Sequence, residues 1–134
     1  MKIDHIAIWT KNLEMLKDYY VKYFDGNPNT RYVNPDKQFE SYFLSFSSGS
    51  RLELMTMPGI PDNLNDTIDK QYTGLIHISF GVDNMNTVRK KAEELSNDGY
   101  RILNGPRKTG DGYFEFETLD PDNNRIEVSS LFIE

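Results

Sequence analysis

Residues 3–9 alternate in period two. Ile6 and Ile8 fall on one parity and Ile3, His5, Ala7 and Trp9 on the other, which predicts a strand. The period then lengthens. Asn12 reads as a helix cap, Leu13, Leu16, Tyr20, Val21 and Phe24 as the buried stripe, and Gly26 as the C-terminal stop. Pro28 and Asn29 turn into a short strand at 30–33, and Asn34-Pro35-Asp36-Lys37 is a turn. Residues 40–47 and 51–57 read as two strands joined by Ser48-Gly49-Ser50.

The same order then recurs. A strand is expected at 75–82, a helix at 87–97, a short strand at 101–103, and strands at 112–119 and 125–131, the last two separated by Asp120-Pro121-Asp122-Asn123. His77 follows His5 by 72 residues, and Arg125-Ile126-Glu127-Val128 follows Arg51-Leu52-Glu53-Leu54 by 74. Residues 58–73 are polar and irregular, the one plausible linker. The expected fold is α+β: a single domain over residues 1–134, built of two βαβββ modules at about 1–57 and 74–131 with the linker at 58–73.

Parity adds a chemical consequence. A sheet with helices on one side needs one apolar face, supplied here by Ile6, Ile8, Leu52, Leu54, Ile76, Ile78, Phe80, Ile126 and Val128. His5, Glu53, His77 and Glu127 all occupy the opposite parity. In a curved mixed sheet these four side chains line the concave side of a cup while the helices cover the convex side. A lone strand histidine is usually a hydrogen-bonded structural residue. These two are the only histidines in the chain, and they hold equivalent positions in the repeat. Two imidazoles and two carboxylates suit a first-row divalent metal, being too hard a set for copper(I) and too rich in nitrogen for calcium. On an octahedral ion they leave two positions for waters or for two substrate oxygens.

Composition removes other classes. The 134 residues, 37% hydrophobic and 13% aromatic, are enough for one real core. A net charge of −6 argues against nucleic acid as a partner. The absence of cysteine excludes disulfides, thiolate metal sites and a cysteine nucleophile, and fits a cytoplasmic address. No stretch approaches membrane-spanning length and no leader pattern opens the chain, so no membrane partner is expected. Trp9, Met55 and Met57 share the ligand parity and are candidates for an apolar substrate wall. Gly105-Pro106-Arg107-Lys108-Thr109-Gly110-Asp111-Gly112 reads as a flexible loop, with Lys108 a candidate contact for an anionic substrate tail. The Tyr19-Tyr20-Tyr23-Phe24 cluster, at helical spacing, reads as packing.

Paired βαβββ modules, a histidine on the first strand of each, a glutamate on the last strand of each and an Asp-Pro-Asp turn before the final glutamate resemble the vicinal oxygen chelate superfamily over essentially the whole chain. The order His5, Glu53, His77, Glu127, and Gly105-Pro106 followed by Lys108 and Gly110, are most similar to the glyoxalase I (lactoylglutathione lyase) family. That resemblance implies a lyase of methylglyoxal detoxification, turning the hemithioacetal of a 2-oxoaldehyde and a thiol, glutathione or another, into a 2-hydroxyacyl thioester through a metal-stabilised enediolate. It implies one divalent ion per site, nickel or zinc first, with cobalt, manganese or iron(II) as alternatives. Glu127 is implied as the general base and acid, with Glu53 able to serve from the other side. It further implies a homodimer in which His5 and Glu53 come from one subunit and His77 and Glu127 from the other, an intrachain cup being the alternative. Two departures stand out: Trp9 occupies the place where glutathione-binding members commonly carry an arginine, and Asn123 replaces the usual glycine of the turn. Other metal enzymes of the superfamily (an epimerase, a dioxygenase or a thiol transferase) and its metal-free drug-binding resistance proteins are the competing readings.

Overall fold

The computed structural model describes residues 1–134, which divide into two compact units, Met1–Asn63 and Leu64–Glu134. The first contains β1 (His5–Trp9), α1 (Leu13–Phe24), β2 (Asn27–Pro28), β3 (Tyr32–Asn34), β4 (Phe39–Ser45) and β5 (Arg51–Thr56). The second contains β6 (His77–Gly81), α2 (Met85–Asn97), β7 (Ile102–Lys108), β8 (Tyr113–Leu119) and β9 (Arg125–Leu131). The fold is α+β, two similar βαβββ modules each with its own mixed sheet. One sheet runs β1-β5-β4-β2 with β3 also on β4, the other β6-β9-β8-β7.

In both modules the first strand lies parallel to the last. Ile6 stands opposite Leu52 and Ile78 opposite Ile126, and the remaining pairs are antiparallel. The helix covers one face: α1 packs on β2, β4 and β5, and α2 on β7, β8 and β9. Leu52, Leu54, Ile126 and Val128, on the covered face of the strand next to the edge, are fully buried. Burying each such side chain contributes roughly 1.5–3 kcal/mol. Ile6, Ile8, Ile78 and Phe80 are only half-buried, because β1 and β6 are the edge strands of their sheets.

Both helices start on an asparagine cap: at Asn12, as the sequence predicts, the side chain accepts from Met15 N–H at 3.1 Å, and at Asn84 it accepts from Thr87 N–H at 3.0 Å, α2 beginning two residues before the expected 87. They stop differently. After α2 it is Gly99 that takes the left-handed conformation, at φ 91°, and Tyr100 N–H reaches back to Leu95 O. After α1 the left-handed residue is Asp25, at φ 56°, not the expected Gly26. Gly26 is needed for another reason: a Cβ there would lie 3.2 Å from Tyr20 O and 3.4 Å from the side chains of Leu44 and Phe46. The buried stripe of α1 also departs from expectation. Tyr19 and Tyr23 join Leu13, Leu16 and Tyr20 inside, while Val21 is exposed. The tyrosine cluster packs edge to face, Tyr19 on Tyr20 at 5.0 Å.

Two strand expectations need correction. The strand expected at 30–33 is two short ones flanking Asn29, both paired to β4. Asn29 keeps the ladder going with its side chain: its N–H donates to Phe43 O at 3.0 Å and its Oδ1 accepts from Phe43 N–H at 2.9 Å. The first half of the expected loop at 105–112 is strand, since β7 continues through Gly105-Pro106, a cis peptide, to Lys108, with register shifts around that pair. Gly105 allows this. It sits at φ 83°, and a Cβ would fall 2.5 Å from Glu115 O and 3.0 Å from Phe116 Cα. The turn before β9 is closed by Asp120, which accepts from the N–H groups of Asp122 and Asn124, while Asn123 takes φ 64° as its residue type allows.

Because the intruding atoms at Gly105 are backbone, Gly105→Ala is expected to destabilise the protein by about 2–3 kcal/mol, read as a lowered urea midpoint at unchanged m-value. Gly110→Ala, whose added Cβ meets nothing within 4 Å, is the control expected to shift it little.

Candidate metal centre

The uncovered face of the first module follows from register. His5 stands opposite Arg51, Ala7 opposite Glu53, and Glu53 opposite Phe43, so His5, Glu53 and Phe43 share one side of the sheet. His5 Nε2 lies 3.8 Å from Glu53 Oε1. The ring of Phe43 meets the imidazole edge-on at 5.2 Å.

The other imidazole nitrogen is already engaged. His5 Nδ1 lies 2.8 Å from Asp4 Oδ2, and Arg51 binds the same oxygen at 2.7 Å. These two partners, the histidine contact first and the guanidinium second, hold the Asp4 carboxyl down at about 2. Asp4 is therefore ionised and can only accept, which puts a proton on Nδ1 and leaves Nε2 as the nitrogen a metal ion could take.

The second module repeats the pair with different neighbours. His77 Nε2 is 3.7 Å from Glu127 Oε2, and Ser79, opposite Glu127 in the ladder, donates its hydroxyl to Glu127 Oε1 at 2.7 Å. Ala7 is the corresponding residue in the first module. Glu117 of β8 stands directly opposite Glu127 where the first module has Phe43. His77, Glu117 and Glu127 each place a ligand atom within 4.8 Å of the other two. Glu117 is held by buried Arg125 at 3.3 Å, whose guanidinium also donates to the carbonyls of Thr67 and Ile68. Arg51, the repeat counterpart of Arg125, stacks on the Phe43 ring at 4.3 Å instead. Further along β8, Glu115 is pushed up by burial first and then by the Glu127 charge, against the opposing Arg107 guanidinium at 3.5 Å.

Glu117 is a residue the sequence reading did not single out. Its signal was present in the alternation Phe114-Glu115-Phe116-Glu117, but comparison of the repeats hides it because the counterpart is an aromatic.

The remaining candidates divide. Trp9 and Met55 face each other in the β1–β5 ladder on the His5–Glu53 side, one row beyond Glu53. Met57 follows the last residue of β5 and is half-buried. Lys108 is not beside His77 and Glu127. It pairs with Phe114 on the helix-covered side, and its ammonium sits over the Phe132 ring at 4.3 Å and 3.9 Å from Glu134.

An imidazole nitrogen beside a carboxylate oxygen is a donor set for a first-row divalent ion, so the residues present fit such a metal. No helix is long and apolar enough to cross a membrane.

Comparison with known proteins gives one family. The profile of the Glyoxalase/Bleomycin resistance protein/Dioxygenase superfamily matches residues 2–128. No curated protein sequence matches significantly. Among solved structures, a glyoxylase/bleomycin resistance protein/dioxygenase domain from Frankia sp. EAN1pec superposes with a TM-score of 0.79 at 19% identity, covering 98% of each chain. The trypanothione-dependent glyoxalase I of Leishmania major gives 0.75 at 20% identity, covering 98% of this chain and 86% of that one. A glyoxalase family protein from Enterococcus faecalis gives 0.74 at 22%, covering 96% of both. At these identities the likeness is one of fold.

If Asp4 orients His5 toward an ion, Asp4→Ala lowers divalent-metal affinity about tenfold in competition with a chromophoric chelator. Affinity equal to wild type would mean that the Asp4–His5–Arg51 chain serves the fold alone.

Proposed function

From the premise that the chain belongs to the glyoxalase/bleomycin resistance protein/dioxygenase superfamily, we propose that it is a metal-dependent glyoxalase I-like lyase, isomerising a 2-oxoaldehyde–thiol hemithioacetal to a 2-hydroxyacyl thioester. The observation that carries this is the repeated pair: His5–Glu53 and His77–Glu127 at 3.8 and 3.7 Å, at equivalent places in the two modules. One enzyme-like site needs both pairs. The reading therefore includes a homodimer or an intrachain cup that brings them together, acting on 2-oxoaldehydes such as methylglyoxal in the cytoplasm.

His5, Glu53, His77 and Glu127 would hold the ion, nickel or zinc by preference. When bound, it supplies Lewis acidity that favours the enediolate form of the substrate.

The rest of the chemistry belongs to the carboxylates. The base takes the proton from the carbon that bears sulfur and hydroxyl and returns it to the adjacent carbonyl carbon. The hydroxyl proton passes to the neighbouring carbonyl oxygen, so the hydroxyl-bearing carbon becomes the thioester carbonyl, the former carbonyl becomes the alcohol, and no oxidant or reductant is consumed. Glu127 is the leading candidate. The Ser79 hydroxyl on Oε1 fixes that carboxylate in one orientation and leaves Oε2 on the open side toward His77. Glu53 faces Ala7 and Phe43, so it has a less polar setting from which to serve as the second base.

The test is thioester formation from the methylglyoxal–glutathione hemithioacetal and from adducts of other thiols, with nickel, cobalt or zinc. Glu127→Gln, with metal restored by excess ion, is expected to lower kcat by about 10²–10⁴-fold. Wild-type protein that retains one ion per site yet turns over none of these adducts would overturn the lyase. Protein that retains no ion at all would turn the reading toward a metal-free binding protein.

A further inference from the structure

The first module's open face continues past the His5–Glu53 pair into an aromatic surface. In the row after Glu53 and Phe43, Trp9 stands opposite Met55, Met55 opposite Ser41, and Ser41 opposite Tyr32. Successive same-face rows lie about 7 Å apart along a strand, so this row is next to the carboxylate. Phe39 ties it together, meeting the Trp9 ring edge-on at 6.0 Å and the Tyr32 ring at 6.1 Å. Trp9 remains 41% and Tyr32 53% exposed. Large aromatic rings left in water beside a candidate ligand pair have area to bury against something.

Charge decides what that is. Among the strand residues of this face the only cation is Arg51, and it is committed twice, to Asp4 at 2.7 Å and to the Phe43 ring at 4.3 Å. The corresponding face of the second module offers Arg125 and Arg107, committed to Glu117 and Glu115. Each strand arginine of either open face thus already has a carboxylate partner, and a further acidic group would meet Glu53 on the first face and Glu115, Glu117 and Glu127 on the second.

We propose that the part of the substrate beyond its two metal-binding oxygens is aromatic or apolar, bears no carboxylate, and lies on Trp9, Phe39 and Tyr32. This rests on the reading of the His–Glu pairs as a metal site for vicinal oxygens. It selects a small uncharged thiol adduct or an aryl 2-oxoaldehyde over a peptide thiol with two carboxylates.

Trp9 is the only tryptophan, so its fluorescence reports this surface directly. The full-length protein, with and without nickel, is titrated with acetohydroxamate, benzohydroxamate and 4-carboxybenzohydroxamate, which share one pair of vicinal oxygens and differ in the tail. Binding should require nickel, benzohydroxamate should bind about tenfold tighter than acetohydroxamate and quench Trp9, and the added carboxylate should weaken it. Phe39→Ala should bring the benzo-to-aceto affinity ratio toward one. The wild-type series stands even if that variant fails to fold. Equal affinities for the first two, or tighter binding of the carboxylated probe, would overturn the proposed tail chemistry while leaving the metal site intact. An absence of any nickel-dependent binding would overturn the metal site and the proposal together. A Trp9 shielded from acrylamide before any probe is added, and unresponsive afterwards, would show the surface already covered and also overturn it.

Discussion

Each candidate ligand glutamate is held between two residues that the sheet buries completely. Leu52 and Leu54 flank Glu53, and Ile126 and Val128 flank Glu127. Because neighbours on a strand point to opposite faces, the helix that covers the aliphatic pair forces the carboxylate onto the other side. A one-residue slip would put the charge under the helix and the aliphatics in water, so the same packing that stabilises each module fixes the direction of its carboxylate. The parallel pairing with β1 or β6 then sets which residue lies beside it. It brings the Nε2 atoms of His5 and His77 to within 4 Å of their glutamates in two independent settings.

The modules agree in this frame and differ in what surrounds it. In the first, the imidazole is oriented by Asp4 and Arg51 and bordered by Phe43. In the second, the position of Asp4 is taken by Ile76, and Ser79, Glu117 and Arg125 supply a polar setting. One half of the repeat thus carries an aromatic surface beside its ligand pair and the other a cluster of carboxylates.

Some of these differences lie open in the residue string and others do not. The repeat, the parity of His5, Glu53, His77 and Glu127, and the asparagine cap at Asn12 are all local patterns of residue type and spacing, which is why they could be read directly. Lys108 shows the limit. Its place after Gly105-Pro106 suggests a loop, but β7 extends through that pair because Gly105 permits an approach to the β8 backbone that any side chain would block. That extension carries Lys108 to the helix-covered side and Arg107 to Glu115. Gly26 teaches the same lesson at the end of α1: its glycine is needed for close packing against Tyr20 and Leu44, while Asp25 turns the chain.

The sequence by itself determined the two βαβββ modules, the repeated placement of two histidines and two glutamates, and the face on which those residues lie, because period, capping and parity are properties of neighbours along the chain. Tertiary structure alone decided which residues from distant strands stand together: Glu117 beside Glu127, Phe43 beside His5, and Phe39 between Trp9 and Tyr32. Those juxtapositions depend on register between paired strands and on the aromatic contacts it brings about. Register is a property of paired backbones, and no single stretch of the chain contains it.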